Sequence, residues 1–170
     1  MTTASRAPHA VQPPPAPALR PRVVARTGLY AFLAAHAAVV AVLFAQGGFA
    51  SNALIVLGRL TGLYGALFMA FQLLLVARLP WLDRRIGMDR LTSWHRWTGF
   101  GVLWTLLAHV VLISFGYAQG SSLDPLNQLV DLAATVEGVL RALVAFVLLL
   151  VVGGASARAA RRRMAYETWH

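Results

Sequence analysis

Four long apolar runs, at about 28–45, 53–77, 91–117 and 138–155, are separated by short segments that hold most of the charge. Each run is close to what is needed to cross roughly 30 Å of hydrocarbon at about 1.5 Å per helical residue. The pattern predicts an all-α integral membrane protein with four transmembrane helices. Gln46 to Asn52 forms a short neutral connection. The next connection carries Arg78, Asp83, Arg84, Arg85, Asp89 and Arg90, with Pro80 as a helix breaker. Between the third and fourth runs, Pro125 stands at a helix start and Leu126, Leu129, Val130 and Ala133 recur at helical spacing. A short surface helix is expected there. Residues 1–22, with Pro13, Pro14 and Pro15 in a row, have too little apolar surface to fold and are expected to form a disordered cytoplasmic tail. The long proline-rich leader argues against a cleaved signal peptide. Residues 23–170 are expected to make one membrane domain.

Composition sharpens this layout. Hydrophobic residues are 58% of the chain and charged residues only 12%, which excludes an ordinary water-soluble globule. All 15 basic residues are arginine, against six acids, giving a net charge of +9. A nucleic-acid partner is not expected, because the arginines cluster between apolar runs instead of covering a folded polar face. They mark sidedness: the three segments assigned inside contain arginines, and the two assigned outside, 46–52 and 118–137, contain none. The lipid bilayer is therefore the expected partner, with the chain multi-pass in the plasma membrane and both termini cytoplasmic. With no cysteine, thiolate-held metals and iron-sulfur clusters are excluded.

Ionisable residues inside a bilayer are costly enough to count as functional candidates. His95 and His109 lie on one predicted helix, fourteen residues apart. At about 100° and about 1.5 Å per residue they fall within roughly 40° of each other and about 21 Å apart along the axis. Neutral imidazole is a good ligand for haem iron, so the pair suits two cofactors stacked across the membrane. Each histidine hydrogen-bonding a neighbouring helix is the other reading of the same pattern.

The run Trp94-His95-Arg96-Trp97-Thr98-Gly99-Phe100, followed by His109, resembles the third transmembrane helix of the ferric reductase and NADPH oxidase superfamily. The loop Arg78-Leu79-Pro80-Trp81-Leu82-Asp83 with Gly87-Met88-Asp89-Arg90 is similar to that of bacterial, actinobacterial-type members. The likeness extends over about Gly58 to His170. It implies a six-helix domain binding two b-type haems between its third and fifth helices, of which this chain resembles the first four. His95 would ligate the inner haem and His109 the outer one. Electrons from cytosolic NAD(P)H and FAD would pass through both haems to ferric iron or oxygen outside. The stretch Tyr166-Glu167-Thr168-Trp169-His170 resembles the start of the family's fifth helix. The opposing ligands and the FAD and NAD(P)H domains are accordingly expected in missing sequence or in a partner, such as a flavin reductase domain or subunit. Two alternatives stay open: a non-redox four-helix membrane protein with structural histidines, and a cytochrome-like subunit completed by another chain.

Other candidates gain meaning from this frame. Arg59, about two turns into the second helix, is within reach of an outer haem's propionates or an anionic acceptor, or it snorkels to headgroups. Arg96, beside His95, would pair an inner-haem propionate or a lipid phosphate. His36 is expected to be packed and hydrogen-bonded, and Arg141 to snorkel or pair with Glu137 one turn earlier. Trp94, Trp97 and Trp104 are expected as interfacial anchors and pocket packing.

Overall fold

A computed structural model describes residues 19–167; the greater part of the expected tail, residues 1–18, lies outside them, as do 168–170. All regular structure among the described residues is helical: α1 (Leu19–Gln46), α2 (Ala53–Val76), α3 (Pro80–Ile86), α4 (Met88–Ala118), α5 (Pro125–Thr135) and α6 (Val139–Glu167). Four helices are long and apolar enough to cross a membrane, over Val23–Gln46, Ala53–Val76, Met88–Ala118 and Val139–Ala159. The all-α, four-span architecture expected from hydropathy is thus present.

The boundaries differ in ways that have local causes. Helix α1 starts at Leu19, inside the stretch assigned to the tail. Pro21 is tolerated there because the first turn of a helix has N–H groups with no carbonyl to receive them. Helix α4 has 31 residues, about 46 Å, so its ends stand in the headgroup region. The basic connection holds a helix of its own, α3. Pro80 occupies its first turn, and Leu82 and Ile86, one turn apart, are both buried. Two left-handed residues set α3 off from its neighbours, Arg78 (φ 48°) before it and Gly87 (φ 93°) after it.

Leu82 and Ile86 join Leu29, Phe71, Leu75 and Leu91 in the buried cluster, flanked by Leu33, Leu74 and Trp94. This cluster lies at the arginine-rich end of the bundle and ties α1 to α2, α3 and α4. Tyr30 packs against Trp94 with the rings tilted at 42° and 5.4 Å between centroids, and the Tyr64 hydroxyl donates to the carbonyl of Ala37 at 3.2 Å. Helix α6 is different: no residue of its span is buried.

The closest helix pair is α2 with α4, packed antiparallel. Its seam can be read from the glycines. A Cβ built on Gly58 would come within 2.8 Å of Ile113, one on Gly62 within 2.6 Å of His109, and one on Gly65 within 3.0 Å of Leu106. From the other side, Cβ atoms on Gly99 and Gly116 would meet Gln72 at 2.8 Å and Ile55 at 2.7 Å. Steps of three and four along α2 are therefore matched by the same steps back along α4. In lipid, where apolar burial gives no net drive to associate, such small-residue seams allow the close packing that holds helices together.

Candidate functional site

His95 and His109 both lie on the α4 seam, so the shared face expected from their spacing is the face that meets α2. Their surroundings are unlike. His109 Nδ1 is 2.7 Å from the carbonyl oxygen of Gly58. A carbonyl only accepts, so Nδ1 carries the proton and donates, and the lone pair of the imidazole is left on Nε2. This bond to a neighbouring helix is what the structural reading of His109 expects, and it also sets the tautomer a metal-ligating histidine needs, with ring orientation held by the backbone carbonyl. Gly62 makes the arrangement sterically feasible, since any side chain there would overlap the imidazole.

His109 also lines a cavity of about 780 Å³ bounded by α2, α4, α5 and α6. Its volume falls in the range of small-molecule and cofactor sites, roughly 300–1,000 Å³. Arg59 lines the same cavity, with Tyr117, Leu129 from α5 and Phe146 from α6. Arg59 is exposed, and its guanidinium lies 5.7 Å from the centre of the Phe44 ring. An arginine, a correctly protonated imidazole and apolar walls thus share one space on the side away from the arginine-rich loops.

His95 lies at the opposite end of the seam. Its Nδ1 is buried and has no hydrogen-bond partner among the described residues. Its backbone is held instead: Gln72 Nε2 donates to the His95 carbonyl at 2.8 Å. Arg96 is exposed and does not line the cavity that holds His109 and Arg59. The four candidate residues therefore form two groups, Arg59 with His109 and Arg96 next to His95, and not one site.

The remaining polar residues have modest roles. His36 is exposed on α1, with Nδ1 donating to the Phe32 carbonyl at 2.8 Å and its ring 4.1 Å from the Phe32 ring. It is hydrogen-bonded as expected, but within its own helix and not packed against a neighbour. Arg141 meets Glu137 at 3.5 Å; with side chains 80% and 95% exposed, the pair contributes little. Trp97 and Trp104 are exposed on α4; Trp104 stands near the middle of that helix, about 24 Å from its start, which is not the place of an interfacial anchor. Helix α5 begins as expected at Pro125, and Asp124 caps it by accepting from the N–H groups of Leu126 (3.0 Å) and Asn127 (3.2 Å). Those bonds, led by the one from the Asn127 backbone, hold the Asp124 carboxyl below its ordinary value of 3.8.

Sequence reasoning missed the contribution of α2. Gly58, Gly62 and Gln72 do as much to define the histidines' surroundings as α4 itself. The Gly58-x3-Gly62 spacing and a lone amide in an apolar run were the available signals.

The residues fit haem best at His109, which has the tautomer a haem ligand needs beside a cavity of cofactor size; the half-buried His95 offers an imidazole whose Nδ1 has no partner among the described residues. No cluster of three or more His, Asp or Glu side chains that could hold a bare metal ion occurs among the described residues. No curated protein and no solved structure matches the chain. The model of one protein family does match, over residues 61–170, and is described as ferric reductase like transmembrane component.

Proposed function

The chain belongs to the ferric reductase-like transmembrane family, and from that membership we propose that it carries electrons across the membrane by way of two b-type haems. The membership supports a transmembrane oxidoreductase-type role, and the four apolar helices place the chain in a bilayer as a multi-pass protein. The finer reading rests above all on one observation, the Nδ1–H of His109 donated to Gly58, which frees Nε2 toward a ligand.

In this reading His95 holds the haem near the arginine-rich side and His109 the one on the far side, about 21 Å along the helix axis. Haem supplies one-electron chemistry when bound; the protein supplies position, dryness and charge. Arg59 provides a fixed positive charge in the His109 cavity, suited to a propionate or to an anionic acceptor such as a ferric chelate. Arg96 offers the same service beside His95. A second imidazole for each iron comes from another helix, in the same polypeptide or in a partner subunit, and a flavin reductase domain or subunit delivers electrons from NAD(P)H. In this reading the protein sits in the plasma membrane, and the arginine-rich loops support a topology with both termini in the cytoplasm.

Sealed vesicles prepared from native membranes test the path directly. Dithionite trapped on the arginine-rich side should reduce ferricyanide outside, and the rate should fall at least tenfold with either His95→Ala or His109→Ala. Equal rates in wild type and both variants would refute transmembrane electron transfer by this pair.

A further inference from the structure

Gln72 is the only amide side chain in α2, a half-buried polar group in an otherwise apolar inner half of the helix. Both ends of that amide are committed across the seam. Nε2 donates to the carbonyl of His95 at 2.8 Å, and Oε1 accepts from the hydroxyl of Thr98. Thr98 has one hydroxyl proton, which Gln72 Oε1 shares with the carbonyl of Trp94, 2.9 Å away on the same helix as Thr98. Gly99 completes the arrangement, since a Cβ there would stand 2.8 Å from Gln72 Nε2. One turn of α4 is thus built around a single side chain from α2.

The two histidines are held by different means. His109 is fixed through its ring, by the bond from Nδ1 to Gly58. The His95 ring lacks such a bond, as its Nδ1 is buried without a partner among the described residues. Its direction therefore depends on the backbone turn that carries it, and that turn is the one Gln72 grips. Water cannot replace these bonds inside a bilayer, so an apolar residue of similar size would leave the His95 and Thr98 groups without an inter-helix partner.

We propose that Gln72, acting with Thr98, is the positioning residue for His95, setting the register of α4 against α2 at the arginine-rich end and hence the aim of the inner imidazole. This rests on the haem reading given above. The absence of cysteine makes two independent measurements practical. Cysteines placed at Met69 and Val102, the seam positions between the Gly65–Leu106 and Gln72–Gly99 contacts, report register without any haem. In membranes carrying the full chain, the low-spin haem signal lost with His95→Ala reports the inner ligand.

Gln72→Leu and Thr98→Val should lower the yield of the Met69–Val102 cross-link several-fold. They should also shift the g values and midpoint potential of the His95-dependent signal while leaving the His109-dependent signal in place. Thr98→Ser, which keeps the hydroxyl, should restore the wild-type cross-link and signal. Unchanged cross-linking in Gln72→Leu, or equal shifts of the two haem signals, would overturn the assignment of Gln72. A wild-type chain with no haem signal at all would instead overturn the haem reading and the spectral consequence drawn from it, leaving the cross-link to judge the register.

Discussion

Adding one methyl group at Gly62 should disable the outer histidine. A Cβ at this position would stand 2.6 Å from His109 Nδ1 and 2.8 Å from its Cε1, far inside contact distance. The ring can give way only by leaving the Gly58 carbonyl, because that bond, at 2.7 Å, fixes it where the methyl group must go. Overpacking of this kind costs about 1–3 kcal/mol. The lost inter-helix hydrogen bond adds about 0.6 kcal/mol. Alanine returns roughly 0.5–1 kcal/mol through its better helix propensity. The balance is about 2 kcal/mol against the ligand-ready arrangement, or roughly thirty-fold in its population. Gly101→Ala is the matched control, since a Cβ there meets nothing within 4 Å. Reduced-minus-oxidised difference spectra of membranes should show the His109-dependent b-type band largely lost in Gly62→Ala and intact in Gly101→Ala, with the His95-dependent band present in both. If Gly62→Ala keeps the full band and unfolds at the same temperature as Gly101→Ala, the close packing of His109 on Gly62 is wrong.

Other consequences follow from the outer side of the bundle. Asn52 caps α2 through Leu54 N–H (2.8 Å) and reaches α4 through the Gly116 carbonyl (3.0 Å) and Gln119 Oε1 (2.9 Å), so Asn52→Ala should destabilise the α2–α4 pair by about 1–2 kcal/mol in thermal unfolding in detergent. The Asp124 carboxyl titrates below its ordinary value in the folded protein, so its contribution to α5 is complete above the ordinary carboxylate range and is lost as pH falls through the lowered folded value. The protection of the Leu126 and Asn127 amides, measured as exchange relative to the intrinsic rate at each pH, should accordingly fall at acid pH in wild type and be low at every pH in Asp124→Ala. Single cysteines at Gly48 and Ser122 should react with an impermeant maleimide from outside the cell, and one at Arg85 only after the membrane is opened; the reverse pattern would invert the topology.

The spans and the histidine pair are legible in local periodicity. Hydropathy alone locates α2, α4 and α6 to within a few residues at their outer ends, and fourteen residues are close to four helical turns, so His95 and His109 had to share a face. Asp124 and Pro125 likewise mark the start of α5 by chemistry contained within one turn. Tertiary register is not legible in the same way. That Gly62 lies against His109, that Gly58 supplies its acceptor, and that Gln72 reaches the His95 carbonyl all depend on how α2 slides against α4, which no single-helix pattern specifies. Helix α3 is hidden for another reason: Pro80 reads as a breaker, yet it starts a helix whose Leu82 and Ile86 are buried only because α1, α2 and α4 are there to cover them. Arg96 and Arg59 stand out in the sequence as candidates, but only three-dimensional packing shows that Arg59 shares a cavity with His109.

The proposed function requires that His95 and His109 each hold a haem. Low-temperature reduced-minus-oxidised spectra of native membranes, compared among wild type, His95→Ala, His109→Ala and His36→Ala, address it most directly. Two b-type components are predicted in wild type, a different one lost in each α4 variant, and both retained in His36→Ala. A wild-type spectrum without b-type absorption, or one unchanged by loss of either α4 histidine, would contradict it.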